Sequence, residues 1–318
     1  MSWLVTGGAG YIGAHVVRAM VEDGQQVVAL DDLSTGDRLR VHDGARFVEG
    51  SVLDRDALRR ALQGVTGVVH VAAKKQVGES VAEPLWYYRE NLDGLLTLLE
   101  ECRSAGVDKF VFSSSAATYG MPDVEYVTED ISKAPLSPYG ETKLAGEWLL
   151  NDCTTAFGLQ VMNMRYFNVA GAASPELGDP GVFNLVPLIF QALQKGERPR
   201  VFGADYPTPD GTCLRDYVHV ADIADAHLAA ARALDAGQPG ATYNIGRGEG
   251  SSVLEVLEMV HRVTRLDCSY DVVARRPGDP ARVVASVDRI REGLGFQATY
   301  DLRQMVESAW AGWQLRQQ

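Results

Sequence analysis

The heptapeptide SPYGETK, residues 137–143, sets Tyr139 four residues ahead of Lys143, one helical turn apart and just behind Pro138. A phenol with an ordinary pKa near ~10 is a poor base at neutral pH, and bringing it to about 7 takes roughly 4 kcal/mol of preferential phenolate stabilisation. One cation about 6 Å away supplies roughly 3 kcal/mol of that at an effective dielectric near 20. A lysine one turn on, together with a positively charged ring such as oxidised nicotinamide, can therefore make Tyr139 a base. The same spacing also describes a surface i, i+4 contact, so the neighbouring segments decide. FVFSSSAATYG places Ser113, Ser114 and Ser115 at the carboxyl end of an apolar strand. Ligands bind at such ends in doubly wound sheets, and a hydroxyl there can share the substrate proton.

A second segment points to the source of the positive ring. VTGGAGYIG follows the first apolar run directly and opens a helical pattern, with Gly7, Gly10 and Gly13 spaced GxxGxxG. Glycine is needed where the backbone takes positive φ or approaches a pyrophosphate closely, and the helix N-terminus then faces the phosphates. Glycines also mark ordinary turns. Here, however, the order is strand, turn, helix, and the next strand ends in Asp31 and Asp32. Carboxylates at that place accept from the adenosine ribose hydroxyls and repel a 2′-phosphate, which selects NAD over NADP.

These residues need a frame. Short runs rich in Val, Ile and Phe alternate with helical patterns: WLVTG, QVVALDD, ARFVEG, VTGVVHVAA, KFVFSSS and LQVMNMRYFNV read as strands. The stretches 12–24, 83–106 and 137–158 read as helices between them. Continuous apolar strands joined by helices predict an α/β fold with a parallel sheet covered on both faces. Beyond about residue 168 the chain is rich in Gly, Pro and Asp, which predicts a smaller, loop-rich α/β domain. The expected division is 1–167 with parts of about 218–240 in the first domain. The second takes about 168–217 and 241–318.

The totals narrow the function class. A chain of 318 residues, 46% hydrophobic, can bury the cores of about two domains. A net charge of −12 opposes nucleic acid as a partner. No apolar run is long enough to span a bilayer, and the N-terminus has no secretory pattern, so a cytoplasmic protein is expected. Cys102, Cys153, Cys213 and Cys268 have no paired spacing and read as reduced thiols. His70 reads as a core or near-cofactor residue. His219 and His227, eight apart with no partner ligands, give no reason to expect a metal. Trp86, Tyr87 and Tyr88 read as packing or dimer-contact residues.

Taken together, TGGAGYIG, SSSAATYG and SPYGETK resemble the extended short-chain dehydrogenase/reductases. The further segments KKQVGESV, RYFNVAGA, FGADYPTPDGTCLRDYVHV and RRPGD resemble, within that group, the UDP-glucose (UDP-galactose) 4-epimerase family, over nearly the whole chain and in order. The resemblance implies a Rossmann-type sheet, NAD as cofactor, a UDP-sugar as substrate and a homodimer pairing helices near 84–104 and 139–157. It implies Tyr139 as the base, Lys143 as its electrostatic partner and a ribose ligand, and Ser115 as the hydroxyl sharing the proton. NAD contacts are implied at Gly7, Gly10, Tyr11, Ile12, Gly13, Asp31, Asp32, Ser51, Val52, Ala72, Lys75, Asn91, Ser113 and Phe167, besides Tyr139 and Lys143. Sugar-nucleotide contacts are implied at Lys75, Ser115, Tyr139, Asn168, Asn184, Leu185, Val201, Phe202, Arg215, Arg276, Asp279 and Val283. Arg215 and Arg276 are candidates for the diphosphate, because a guanidinium fork suits its oxygens; either can alternatively be a structural ion pair.

Three positions depart from the family pattern. Ser51 stands where an acidic residue is usual, followed by Val52; a serine hydroxyl still accepts from adenine, with weaker holding expected. Glu90 stands where some relatives have Asn, leaving the polar role to Asn91. Val283 stands where members restricted to plain hexoses carry tyrosine and members accepting N-acetylated sugars carry a small residue. Some turnover of UDP-GalNAc or UDP-GlcNAc is therefore expected. A UDP-glucuronate epimerase, a sugar-nucleotide dehydratase or decarboxylase, an alcohol dehydrogenase and a non-catalytic NAD sensor share the fold. The dehydratase and decarboxylase reactions need an added acid near Ser115, where Ala116 and Ala117 stand. A sensor would have no use for the Tyr–Lys pair.

Overall fold

The computed structural model describes residues 1–276 and 278–317; Pro277, inside the RRPGD segment, lies outside the described residues. Its strands are β1 (Ser2–Thr6), β2 (Gln26–Asp31), β3 (Arg46–Glu49), β4 (Gly67–His70), β5 (Lys109–Ser115), β6 (Gln160–Tyr166) and β7 (Asn168–Ala170). These are followed by β8 (Arg200–Phe202), β9 (Leu214–His219), β10 (Ala241–Ile245), β11 (Gly250–Ser252), β12 (Asp271–Val273) and β13 (Arg282–Val283). Two compact units emerge. One comprises Met1–Gly120, Lys133–Arg165 and Ile223–Tyr243; the other Met121–Ser132, Tyr166–Asp222 and Asn244–Gln318.

The large sheet runs β3-β2-β1-β4-β5-β6-β10, and the pairings β1–β2, β1–β4, β2–β3 and β4–β5 are parallel. Strand order reverses between β1 and β4, which makes the carboxyl ends of those two strands the crevice where a doubly wound sheet binds its ligand. The strands are nearly continuous apolar runs because helices cover both faces. Leu4, Leu30, Val68, Phe110 and Leu150 are among the residues that close this core.

In the second unit β9 pairs antiparallel with β11 and parallel with β13 and β7, and β8 pairs with β12. Helices Leu185–Gln194, Val253–Thr264 and Leu302–Leu315 pack Phe190, Leu257, Val306 and Trp313 into a separate core. Among the described residues, no helix is long and apolar enough to cross a membrane.

Three elements depart from the sequence expectation, each for a local reason. The 65–73 strand ends at His70, because the N–H groups of Val71 and Ala72 both turn to the Thr6 carbonyl. The 159–169 strand splits at Phe167, whose N–H bonds Ile245 O, and the remainder joins β9. The 83–106 helix is interrupted: α-helix Pro84–Tyr88 widens into a π-helical turn, Arg89–Asp93, before α-helix Gly94–Ala105. Such turns recur at functional sites. This one carries the buried Asn91.

Candidate active site

The helix that carries Tyr139 and Lys143 runs Pro138–Phe157. Ser137 caps it, its hydroxyl accepting from Gly140 N at 3.2 Å, and Pro138 takes the first turn, where its missing N–H does no harm. A side chain at Gly140 would bring its Cβ to 2.7 Å from Ala117 O. Glycine there lets the helix start press onto the Ala116–Tyr119 turn that follows Ser115. The Ser115 hydroxyl, which accepts from Ala117 N at 3.1 Å, acts on the Tyr139 phenol to favour its ionised form. Both are buried.

Lys143 is fully enclosed. Its Nζ donates to Ser113 O at 2.8 Å and lies 5.0 Å above the Phe112 ring. Burial pulls its pKa down to about 7, opposed by the Glu147 carboxylate one turn further on. Burial also pushes the Tyr139 phenol up, opposed by the Ser115 hydrogen bond. Desolvation disfavours whichever form is charged, so the two groups move in opposite senses. The lysine expected from spacing is present one turn on, held on Ser113 O, and burial disfavours its charged form.

Beneath this pair lies a set of contacts that the sequence reading did not identify. Glu147 Oε1 accepts from Ser114 Oγ at 2.5 Å and from Arg165 Nε at 2.8 Å, and Arg165 Nη1 donates to Tyr119 OH at 2.8 Å. Glu147 follows Lys143 by four residues, as Lys143 follows Tyr139, and that repeat was the available signal. Arg165 and His227 offered none, because their partners come from distant segments.

The glycine turn lies at the switch point. Gly7 takes φ +69°, and its N–H and that of Gly8 donate to Leu30 O. A Cβ at Gly13 would lie 2.0 Å from Gly7 O, and one at Gly7 would lie 2.8 Å from Ala72 N. Gly10 caps helix Tyr11–Glu22, with Tyr11 and Ile12 in its first turn. This is a cradle of bare backbone opening on a helix N-terminus, the form that a pyrophosphate requires. Asp31 ends β2, accepting from Ala9 N at 3.0 Å and Leu33 N at 2.8 Å, and burial raises its carboxyl pKa. Asp32 is exposed and accepts from Ser34 N and Oγ. Ser51 Oγ accepts from Leu53 N at 3.1 Å, and Val52 packs into the core. Lys75 is exposed, its Nζ 5.6 Å from the Tyr11 ring centre. Asn91 bonds the Lys74 peptide on both sides, at 2.8 and 2.9 Å, and Thr142 Oγ1 at 3.1 Å. Its amide thus ties the post-β4 loop to the catalytic helix. Phe167 belongs to the second unit and is buried.

The second unit gathers other sequence candidates. In β9 and β13 Arg215 stands opposite Val283, and its guanidinium pairs with Asp279. The Arg276 guanidinium lies 3.8 Å over the Phe202 ring. Asn184 precedes helix Leu185–Gln194 and donates to Asp179 Oδ2 at 2.7 Å, with Leu185 opening the helix. Asn168 is exposed at the start of β7. Val201 is wholly buried in the core of this unit, which leaves only its backbone to meet a ligand.

Known proteins resemble the chain over nearly its whole length. Residues 3–246 match the model of the NAD dependent epimerase/dehydratase family. A UDP-glucose 4-epimerase of Corynebacterium glutamicum is 44% identical over 317 residues, covering 98% of this chain and 95% of that one. The crystal structure of a UDP-glucose 4-epimerase from Stenotrophomonas maltophila, with bound NAD and formylated UDP-arabinopyranose, superposes with a TM-score of 0.96 at 38% identity, covering 100% of this chain and 99% of that one. The UDP-glucose 4-epimerase of Brucella ovis, in complex with NAD, gives a TM-score of 0.94 at 38% identity, covering 98% of each chain.

Proposed function

The chain belongs to the NAD dependent epimerase/dehydratase family, and from that premise we propose how its residues carry out UDP-glucose 4-epimerisation with NAD. The observation that carries the reading is a buried Tyr139 one turn from a buried Lys143 held on Ser113 O, with the buried Ser115 ending β5. The backbone cradle of Gly7, Gly10 and Gly13 fits a pyrophosphate, and Asp31 and Asp32 stand at the end of β2, where the adenosine ribose belongs. Tyr11, Ile12, Ala72, Lys75 and the Ser51–Val52 turn complete the cofactor wall, and Asn91 supports it through the Lys74 peptide. When bound, NAD supplies the acceptor for the C4 hydride and the source of its return.

The protein residues handle the proton and the orientation. Tyr139 takes the O4 proton, Ser115 shares it, and Lys143 stabilises the phenolate. Proton and hydride leave the hexose together, giving a 4-keto sugar that remains attached to its UDP. Arg215 and Arg276 hold the diphosphate, each guanidinium having more donors than its present partner uses. Asn168, Asn184, Leu185, Phe202 and Asp279 hold the nucleotide. The hexose itself has few fixed partners and turns to offer its other face, and Tyr139 then returns the proton with C4 inverted. On this reading the first unit is the cofactor domain and the second the sugar-nucleotide domain.

Val283 favours a broader substrate range. It is half-buried beside Arg215, and a branched three-carbon side chain occupies less room than a phenol. N-acetylated UDP-hexoses are therefore included among the substrates. Leu85, Trp86, Leu96 and Trp148 are exposed along the two helical stretches of the first unit, Leu85 at 86% and Trp148 at 60%. Such an apolar face suits a second copy of this chain, and a homodimer is proposed. Four unpaired cysteines fit a reducing, cytoplasmic setting.

The test is to incubate the purified protein with UDP-galactose and follow the anomeric proton of UDP-glucose by NMR. Conversion by the wild type and its loss by roughly 10²–10⁴ in Tyr139→Phe are expected. Equal turnover by the variant would remove Tyr139 from the mechanism.

A further inference from the structure

We propose that His227 is a positioning residue for Lys143: by clamping the Ser113 hydroxyl it fixes the peptide whose carbonyl holds the lysine ammonium. The chain of contacts is continuous. Lys143 Nζ donates to Ser113 O at 2.8 Å, Ser113 Oγ lies 2.7 Å from His227 Nε2, and His227 Nδ1 lies 2.8 Å from Ile223 O. A carbonyl only accepts, so Nδ1 carries the imidazole proton and Nε2 is the lone-pair nitrogen. Ser113 Oγ–H is therefore the donor, and the direction of every bond in the chain is determined.

The clamp matters because of where Ser113 sits. The β4–β5 register ends at the pair His70–Phe112, immediately before Ser113 and Ser114 at the carboxyl end of β5. Two side-chain anchors lie there. Ser114 is tied to Glu147 at 2.5 Å and Ser113 to His227. Lysine reaches its acceptor on a flexible four-carbon stem, so the location of its charge is set by the carbonyl it bonds. The Coulomb field at Tyr139 follows that location.

The charge balance around Lys143 is consistent with this role. The titratable groups that act on it are Glu147 on its own helix, His70 from β4 and His227 from helix Val220–Asp235; Tyr139 stands one turn before it on the same helix. Burial keeps both imidazoles neutral down to acid pH, His70 titrating at about 3 and His227 at about 4. A neutral imidazole accepts from Ser113 without adding a second cation beside the lysine. A histidine that merely filled space in its helix would be replaceable by leucine without effect on turnover.

The inference rests on the epimerase reading, and its test separates the two. His227→Leu keeps the volume but removes the acceptor, whereas His227→Gln returns an acceptor oxygen at about the reach of Nε2. For UDP-galactose, kcat in His227→Leu is expected to fall roughly tenfold to a hundredfold with KM within about twofold. NAD binding to the stripped protein, measured by calorimetry, should weaken roughly fivefold, because Lys143 is also the proposed ribose ligand. His227→Gln should restore both to within about threefold, and Ser113→Ala combined with His227→Leu should be no worse than either alone. Unchanged kcat and NAD affinity in His227→Leu, or a glutamine variant as impaired as the leucine one, would overturn the proposal. If the wild type converts no UDP-galactose, the epimerase reading fails first, and the NAD-affinity series alone then decides the clamp.

Discussion

Replacing Lys143 by methionine should abolish turnover and yet make the cofactor-free protein more stable. The buried ammonium titrates at about 7, against an ordinary 10.5. The unfolded chain therefore binds more protons between those values, and the stability contributed by this group rises with pH across that window. The penalty is complete below about pH 7 and has gone above about 10.5. At 1.36 kcal/mol per unit it amounts to about 4 kcal/mol at pH 7 and about 2 kcal/mol at pH 9. Methionine keeps the apolar stem and removes the charge. Against this, Ser113 O loses its donor, which costs about 1–2 kcal/mol in a buried site at either pH. The net expectation is a gain of about 2–3 kcal/mol at pH 7, falling to about 0–1 kcal/mol at pH 9. Urea denaturation of wild type and Lys143→Met, both stripped of NAD, at the two pH values measures this directly. A variant less stable than wild type at pH 7, or one whose stability difference is the same at both values, would refute the argument that burial depresses this lysine.

Three further outcomes are expected. Gly13→Ala places a Cβ 2.0 Å from the Gly7 carbonyl, so the turn must open; NAD affinity measured by calorimetry should fall at least tenfold, with stability down by about 2–4 kcal/mol. Glu147→Gln removes the carboxylate that Arg165 pairs with in the buried site and should destabilise by about 3–5 kcal/mol in denaturant melts, whereas Glu147→Leu together with Arg165→Met should recover most of that loss. Val283→Tyr should suppress conversion of UDP-GalNAc by at least tenfold while leaving UDP-galactose turnover within about threefold, read by the same NMR assay.

The parts of the molecule legible in the sequence are those whose cause is local. Gly7, Gly10 and Gly13 declare themselves because one turn must bend sharply, pass close to Ala72 N and open a helix within a few residues. Ser137, Pro138 and Gly158 likewise mark the catalytic helix from both ends. What stayed hidden depends on segments far apart in sequence. The Asn91 amide reaches the Lys74 peptide 17 residues away and Thr142 51 residues away, and meeting both requires the π-helical turn that periodicity reads as plain helix. His227 meets Ser113 across 114 residues, and in sequence it is only a histidine on an amphipathic helix. Arg215 stood out in sequence as a candidate for the diphosphate or a structural ion pair, and its pairing with Asp279, in a loop 64 residues on, was not legible.

The titration of Tyr139 and Lys143 bears on why the proposed base needs the cofactor beside it. Tyr139 is held above its ordinary value by burial, and Lys143 is held below its own. Without a further positive charge, burial favours the neutral form of both groups, so the phenol keeps its proton. An additional cation beside the phenol shifts that balance by roughly 3 kcal/mol at a separation of about 6 Å and an effective dielectric near 20, about two pKa units. Oxidised nicotinamide would supply such a cation when bound, and would lose that charge on reduction. On the proposed mechanism the base strength of Tyr139 is thereby tied to the presence of a hydride acceptor: the phenolate costs less to form when the sugar can be oxidised, and the phenol holds its proton more firmly when the sugar can be reduced. One buried tyrosine can serve both directions of an epimerisation without any net change in the protein's own protonation.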